Sequence, residues 1–423
     1  MSDELRVMSS GECENPVPEH ASLITDHSFF WHTLPRPIIG LAPMDGVTDA
    51  PFRFMVATQG RPDVIFTEFT SVMDVCRGPA HMLSSLIYSD AERPVVAQLY
   101  GKDPAVFYQA AHIVCELGFD GLDVNMGCPS RNVAASGSGA GLIRTPDLAH
   151  EIMRATRQGI ADWAGGQSLA GAGLKDSRVD MIRAMNERRA GRPVQPVQIG
   201  PPAARRAIPL SIKTRIGYDS IIVERWIEHL LAEQPVAISV HGRTLEQMYR
   251  GEADWSAIER AARLARTTGT LLLGNGDVRS LQDLVLRVRQ HGVHGVLVGR
   301  GALGEPWLFR HKEAARAAVS DPARAVEREL PSREERFRVM LDHARQYEAL
   351  LDRQCFPRMR KHLGWYCKGF PSAAAMRAAM VQASSSEDVA RLVAEYQAGQ
   401  QARQQTDPAH RAMPALAAAA PAV

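Results

Sequence analysis

The 423-residue chain balances 49 Lys or Arg against 47 Asp or Glu, with 45% hydrophobic and 23% charged residues. This is an ordinary globular composition, long enough for one large domain and a smaller one, and the formal charge of +2 does not announce a nucleic-acid binder. No window nears about eighteen uninterrupted apolar residues, which excludes a membrane helix, and MSDELRVMSSGECENP lacks the basic and apolar regions of a secretory signal, so the chain is expected in the cytoplasm.

Residues 1–30 are polar and aperiodic and read as a disordered tail. Eight short apolar segments follow: 38–43, 64–69, 95–100, 121–127, 210–215, 237–242, 271–277 and 295–300. They are near-continuous hydrophobic runs, as parallel strands covered on both faces should be. Amphipathic stretches such as DPAVFYQAAHIVCELG and SLQDLVLRVRQHG separate them. Eight strand–helix units in 31–330 predict an α/β fold, a TIM (β/α)8 barrel. A doubly wound sheet is the weaker choice, because no strand–GxGxxG–helix unit with a downstream acid is present.

One connection is too long. Residues 161–208 are rich in Gly, Pro and Arg and read as a surface insertion on the barrel face away from the chemistry, solvated or touching RNA. Beyond the last strand the pattern is all-helical over 331–400. Ser332-x-x-Glu335 is a capping box, with Phe337, Met340, Leu341, Ala344 and Tyr347 at helical spacing, and Val389, Leu392, Val393 and Tyr396 share a later face. Residues 401–423 read as a second disordered tail.

Functional groups of this fold sit at the C-terminal strand ends. Asn275, Gly276 and Asp277 end the seventh segment, and Gly299 and Arg300 end the eighth. Glycines there let backbone N–H groups approach a phosphate, and Arg300 adds a charged donor. Lys213, inside an apolar strand, is costly unless it meets an anion or reacts. It reads as an electrostatic partner of a flavin ring, as a Schiff-base lysine, or as a strand-end lysine reaching solvent. His241 aligns with Lys213 and Gln98 at equivalent strand ends, which favours a ligand-facing role. Pro43, Met44 and Asp45 end the first strand, where backbone can approach a flat ring; Asp45 also suits a turn. Six cysteines form no Cys-x-x-Cys pair and no zinc pattern, so no metal is expected. Cys128 is the one thiol at a strand mouth. With an ordinary thiol pKa near ~8.5 it is protonated at neutral pH and can donate a proton.

Together LAPMDGVTDAPFR, VAQLYGKDP, DVNMGCPSRNV with GSGAGLI, SIKTRIGYD, SVHGRTLEQMYRGEADW, NGDV and GVLVGRGALGEPWLF resemble the tRNA-dihydrouridine synthases over roughly residues 37–310. RKHLGWYCKGFP at 360–371 resembles part of that family's helical domain. The resemblance implies FMN held by Pro43, Met44, Asp45, Gln98, Lys213, His241, Asn275, Gly276, Asp277, Gly299 and Arg300. It implies Cys128 as proton donor, NADPH as reductant, and reduction of the C5–C6 bond of a tRNA uridine, in the D-loop. The basic run 353–368, with Trp365 and Tyr366, becomes a candidate tRNA surface. Asn125, Arg358, Arg360 and Lys361 are its substrate-contact candidates, and the chain is expected to be a monomer. The rivals are an FMN reductase of a free pyrimidine, like the dihydroorotate dehydrogenases, a cofactor-free aldolase using Lys213, and an RNA chaperone.

Overall fold

The computed structural model describes residues 30–190, 205–326, 330–351 and 353–406. Nine parallel strands form one sheet: β1 (Ile38–Leu41), β2 (Ile65–Phe66), β3 (Thr70–Ser71), β4 (Val95–Tyr100), β5 (Gly121–Met126), β6 (Leu210–Arg215), β7 (Ala237–His241), β8 (Leu271–Asn275) and β9 (Gly295–Val298). Their order is β2-β1-β9-β8-β7-β6-β5-β4-β3, and β2 also pairs with β4, which closes the barrel. Of the second apolar segment, expected at 64–69, only Ile65–Phe66 is strand, and β3 follows just beyond it. Both pair with β4, at Val95–Val96 and at Leu99–Tyr100, so β2 and β3 share one of eight barrel positions.

Helices start where the sequence offers a side-chain acceptor for free N–H groups. Asp49 caps Ala50–Gln59 through the Phe52 amide, Asp103 caps Pro104–Glu116, and Ser280 caps Leu281–His291, which Gly292 ends at φ +58°. The largest apolar cluster lies between strands and helices. A second fills the barrel interior: Ile38, Val64, Phe66, Val96, Ala237, Leu271, Leu273 and Leu297, plugged by the fully buried Trp31. Nearer the C-terminal strand ends the inward positions turn polar, with Gln98, Asp123, Asn125, Lys213, His241 and Asn275. That change of polarity along the barrel axis places the site.

The long connection differs from a purely solvated excursion. Helix Pro146–Ala164 runs past the expected start at 161, and helix Asp176–Ala190 follows. Leu169, Leu174, Val179 and Ile182 are buried. Gln109 Nε2 donates to the Ala172 carbonyl at 3.3 Å, Asn186 donates to the Glu116 carbonyl at 3.0 Å, and Arg178 to that of Gly78. The first half of the insertion therefore packs on helix Pro104–Glu116. Residues 191–204 lie outside the described residues, as do 1–29 and 407–423 of the two expected tails. Helix Ser386–Thr406 continues beyond the expected end at 400.

Helices Arg333–Leu350, Arg360–Tyr366, Ala373–Met380 and Ser386–Thr406 share their own core, around Phe337, Met340, Tyr347, Met359, Leu363 and Val389. Only the forward half of the expected capping box forms: Ser332 accepts from the Glu335 amide at 3.1 Å, while the Glu335 carboxylate accepts from Arg310 at 2.8 Å. This helical unit seats on the barrel at Met55 and Trp307.

Candidate active site

A cavity of about 690 Å³ opens at the C-terminal strand ends. Pro43, Met44, Asp45, Gln98, Asn125, Cys128, Lys213, His241, Asn275, Gly276, Asp277, Gly299 and Arg300 all line it. The parallel register explains the convergence. Asn125 pairs with Lys213, and Arg215 with His241, which pairs with Asn275, so equivalent positions present side chains in shared tiers.

On one side Asp277 gathers two arginines. Asp277, at φ +50°, takes a bond from Arg243 at 2.7 Å and from the Ala253 amide at 2.8 Å on one oxygen, and from Arg300 at 2.9 Å on the other. These two arginines hold its carboxyl below the usual range despite partial burial. Arg243 is 2% exposed, and its Nη1 is buried without a partner. Gly276 has φ +134°, and a Cβ there would meet Ala253 Cβ at 2.6 Å. The Arg300 guanidinium lies 5.6 Å from the ring centroid of Tyr249, itself 60% exposed at the rim.

On the floor, burial pushes Lys213 down to about 8, with Arg215 adding repulsion and Asp123 opposing. His241 is driven well below the ordinary imidazole range by burial and by Arg215, Lys213, Arg243 and Arg300, so it is neutral. Opposite, Cys128 is 2% exposed. Burial raises its thiol, and Asp45 adds to this, while Arg215 and Lys213 pull the other way. The thiol is therefore protonated at neutral pH. Asn125 Oδ1 accepts from the Cys128 amide at 2.8 Å and the Gly127 amide at 3.0 Å, and its Nδ2 donates to Gln98 at 2.9 Å.

The three basic candidates of the helical unit lie outside this lining. Arg358 is exposed; Arg360 donates to the Ala383 carbonyl at 2.9 Å; Lys361 reaches the Gly46 carbonyl on the cavity loop. Lys368 holds a second edge through the Leu303 carbonyl at 3.0 Å. Of the two aromatics of this run, Tyr366 is 2% exposed and packs in the helical core, so it offers no open face; Trp365 is half-buried. Sequence reasoning missed Asp123, Arg215, Arg243 and Tyr249. Asp123 and Arg215 stand two residues from Asn125 and Lys213, so strand alternation alone could have found them.

The family model for dihydrouridine synthase matches residues 40–162 and 203–404. The chain belongs to the dihydrouridine synthase family. A probable tRNA-dihydrouridine synthase 2 of Bacillus subtilis is 32% identical over 373 residues, covering 87% of this chain and 96% of that protein. A probable tRNA-dihydrouridine synthase of Staphylococcus aureus is 31% identical with the same coverage, and one of Staphylococcus epidermidis is 31% identical over 88% of this chain and 98% of its own. The family match breaks between 162 and 203, where this member carries the insertion and its packed helix Asp176–Ala190.

Proposed function

We propose that this protein reduces the C5–C6 double bond of a uridine in tRNA, in the D-loop, with FMN in the barrel mouth and NADPH as reductant. The observation that carries the reading is one cavity lined by the Cys128 thiol, Lys213, Asp277 and Arg300, in a chain of this family.

The residues fit FMN. The exposed Arg300 head, tied to Asp277, and the backbone of Gly276 and Gly299 line the cavity and suit its phosphate. Lys213, Gln98, Pro43, Met44, Asn275 and His241 line the same cavity and would hold the FMN ring. Bound there, FMN supplies the two electrons and the hydrogen that C6 of the uracil ring gains. C5 must then gain a proton. Cys128 gives it as a neutral thiol and is left as a thiolate, which Lys213 and Arg215 stabilise by charge. His241, being neutral, contributes a hydrogen bond without adding repulsion between itself and Lys213. The target base must leave its stack to enter the barrel mouth. Lys361 and Lys368 fasten the helical unit to the cavity edge, which suits that unit to gripping the surrounding RNA.

Two expectations follow from this assignment. FMN affinity should weaken as pH rises through about 8, because Lys213 is cationic below that value and neutral above it. Titration calorimetry on either side of that pH should show the inflection, and Lys213→Met should flatten it. Affinity for tRNA should fall steeply with salt, and Arg358→Ala should reduce the log–log slope by about 1, measured by filter binding. An unchanged slope would take Arg358 out of the RNA surface.

The deciding assay supplies FMN-loaded protein with NADPH and either unmodified tRNA or free uridine, and measures dihydrouridine. Product from tRNA alone is expected. Turnover on free uridine with none on tRNA would replace this reading with a small-molecule reductase.

A further inference from the structure

Gln98 and Asn125 on the cavity wall are the outer links of a buried polar chain that ends on Asp123. Asp123, on β5, is fully buried. Its Oδ1 accepts from Ser211 Oγ at 2.6 Å, and its Oδ2 accepts from Gln98 Nε2 at 2.7 Å. Gln98 Oε1 then accepts from Asn125 Nδ2 at 2.9 Å. Asn125 Oδ1 is thereby left to face the turn, where it accepts from the amides of Gly127 and Cys128 at 3.0 and 2.8 Å.

We propose that Asp123 is a positioning residue that sets the orientation of both amides and so holds Cys128 in place. The inference rests on the reading of Cys128 as proton donor. An ionised carboxylate only accepts hydrogen bonds, so Gln98 must turn its NH2 toward Asp123. Its oxygen then points at Asn125, which must answer with its own NH2. Reversing Gln98 alone would set acceptor against acceptor at Asp123 and donor against donor at Asn125; reversing Asn125 alone would set acceptor against acceptor at Gln98 and take the acceptor away from the Cys128 amide. The orientation of a turn at the end of β5 is thus decided by a charge two residues back in the barrel interior. The Gln98 backbone N–H donates to Thr67 Oγ1 at 3.0 Å, which keeps that residue from shifting to compensate. Arg215 Nε, donating to the Gly127 carbonyl at 2.7 Å, anchors the turn from β6, so loss of Asp123 should loosen the turn without unfolding it.

The test compares FMN-loaded wild type with Asp123→Ala, Asp123→Asn and Asp123→Asn/Ser211→Ala. Two readouts are taken: kcat and KM for tRNA, and the pH profile of Cys128 alkylation by iodoacetamide, with Cys128→Ala as background. In Asp123→Ala, kcat should fall at least about tenfold with KM within about twofold. Alkylation should quicken by about fivefold or more, with its midpoint moving down toward an ordinary thiol. Asp123→Asn should recover most of this, since Asn keeps an oxygen for Gln98 while Ser211 turns to accept from its NH2. Removing the Ser211 hydroxyl as well should abolish that recovery. Wild-type kcat and alkylation in Asp123→Ala would overturn the proposal. Should that variant not fold, the volume-conserving double variant decides: equality with Asp123→Asn in both readouts overturns it. A wild type that makes no dihydrouridine would sink the functional reading instead, and the alkylation profiles would still report on the chain.

Discussion

Cys128→Ala is expected to bind FMN normally and to lose at least about a hundredfold in turnover on tRNA, the scale of a missing general acid. The thiol's environment explains both halves of this expectation. Cys128 is enclosed and raised by burial, so it holds its proton at neutral pH, and Arg215 and Lys213 are placed to receive the charge left behind. Replacing sulfur by hydrogen removes the donor without touching Arg300 and Asp277, which suit the phosphate. The measurement is single-turnover reaction of pre-reduced enzyme with tRNA, which isolates the reductive step from recharging by NADPH. Oxidation of the bound flavin by tRNA at the wild-type rate would remove Cys128 from the mechanism. A loss of flavin colour on purification would show instead that the thiol matters for cofactor retention.

Glu92→Ala should cost about 3–5 kcal/mol of stability, because it strands a buried guanidinium. Arg53 and Glu92 have side-chain exposures of 0% and 1% and pair at 2.7 Å. Glu92 also accepts from the Ser89 amide at 2.8 Å, closing a short capping box. The pair ties helix Ala50–Gln59 to the turn before β4. Arg53 also donates to the Thr48 carbonyl at 2.8 Å, and Thr48 Oγ1 in turn accepts from the Met44 amide at 3.0 Å. The ion pair therefore braces the loop that forms one wall of the cavity, and FMN affinity should fall together with stability. Chemical denaturation of apo and FMN-loaded protein reads both quantities. Arg53→Met/Glu92→Met should recover much of the loss, since no unpaired charge is then left inside. A single Glu92→Ala variant as stable as wild type would show that Arg53 finds another acceptor or reaches water.

The cavity was largely legible before any coordinates, for a reason specific to parallel barrels. Every strand ends on the same face, so the polar residues that terminate successive apolar runs converge whatever the details of packing. Gln98, Lys213, His241, Asn275 and Arg300 are visible in that way. What alternation leaves implicit is harder to see. Asp123 is in register with Gln98 and Arg215 with His241, and those partners come from neighbouring strands, which no local pattern contains. Arg243 stands in the motif SVHGRT but has no role legible there, because its pairing with Asp277 joins residues 34 apart.

The sequence alone determined the alternation of apolar runs and amphipathic stretches, hence the barrel, and the residue types at its mouth. These are properties of one chain segment at a time, set by hydrophobic period and capping chemistry. That half of the insertion packs on helix Pro104–Glu116, through Leu169, Leu174, Val179 and Ile182, follows from long-range contacts alone. So does the placing of Tyr366 in a core while Arg358 faces water. Those outcomes depend on which surfaces meet. A basic, aromatic run reads the same whether its aromatics face solvent or a neighbouring helix, and a Gly- and Arg-rich connection gives no period from which burial could be inferred.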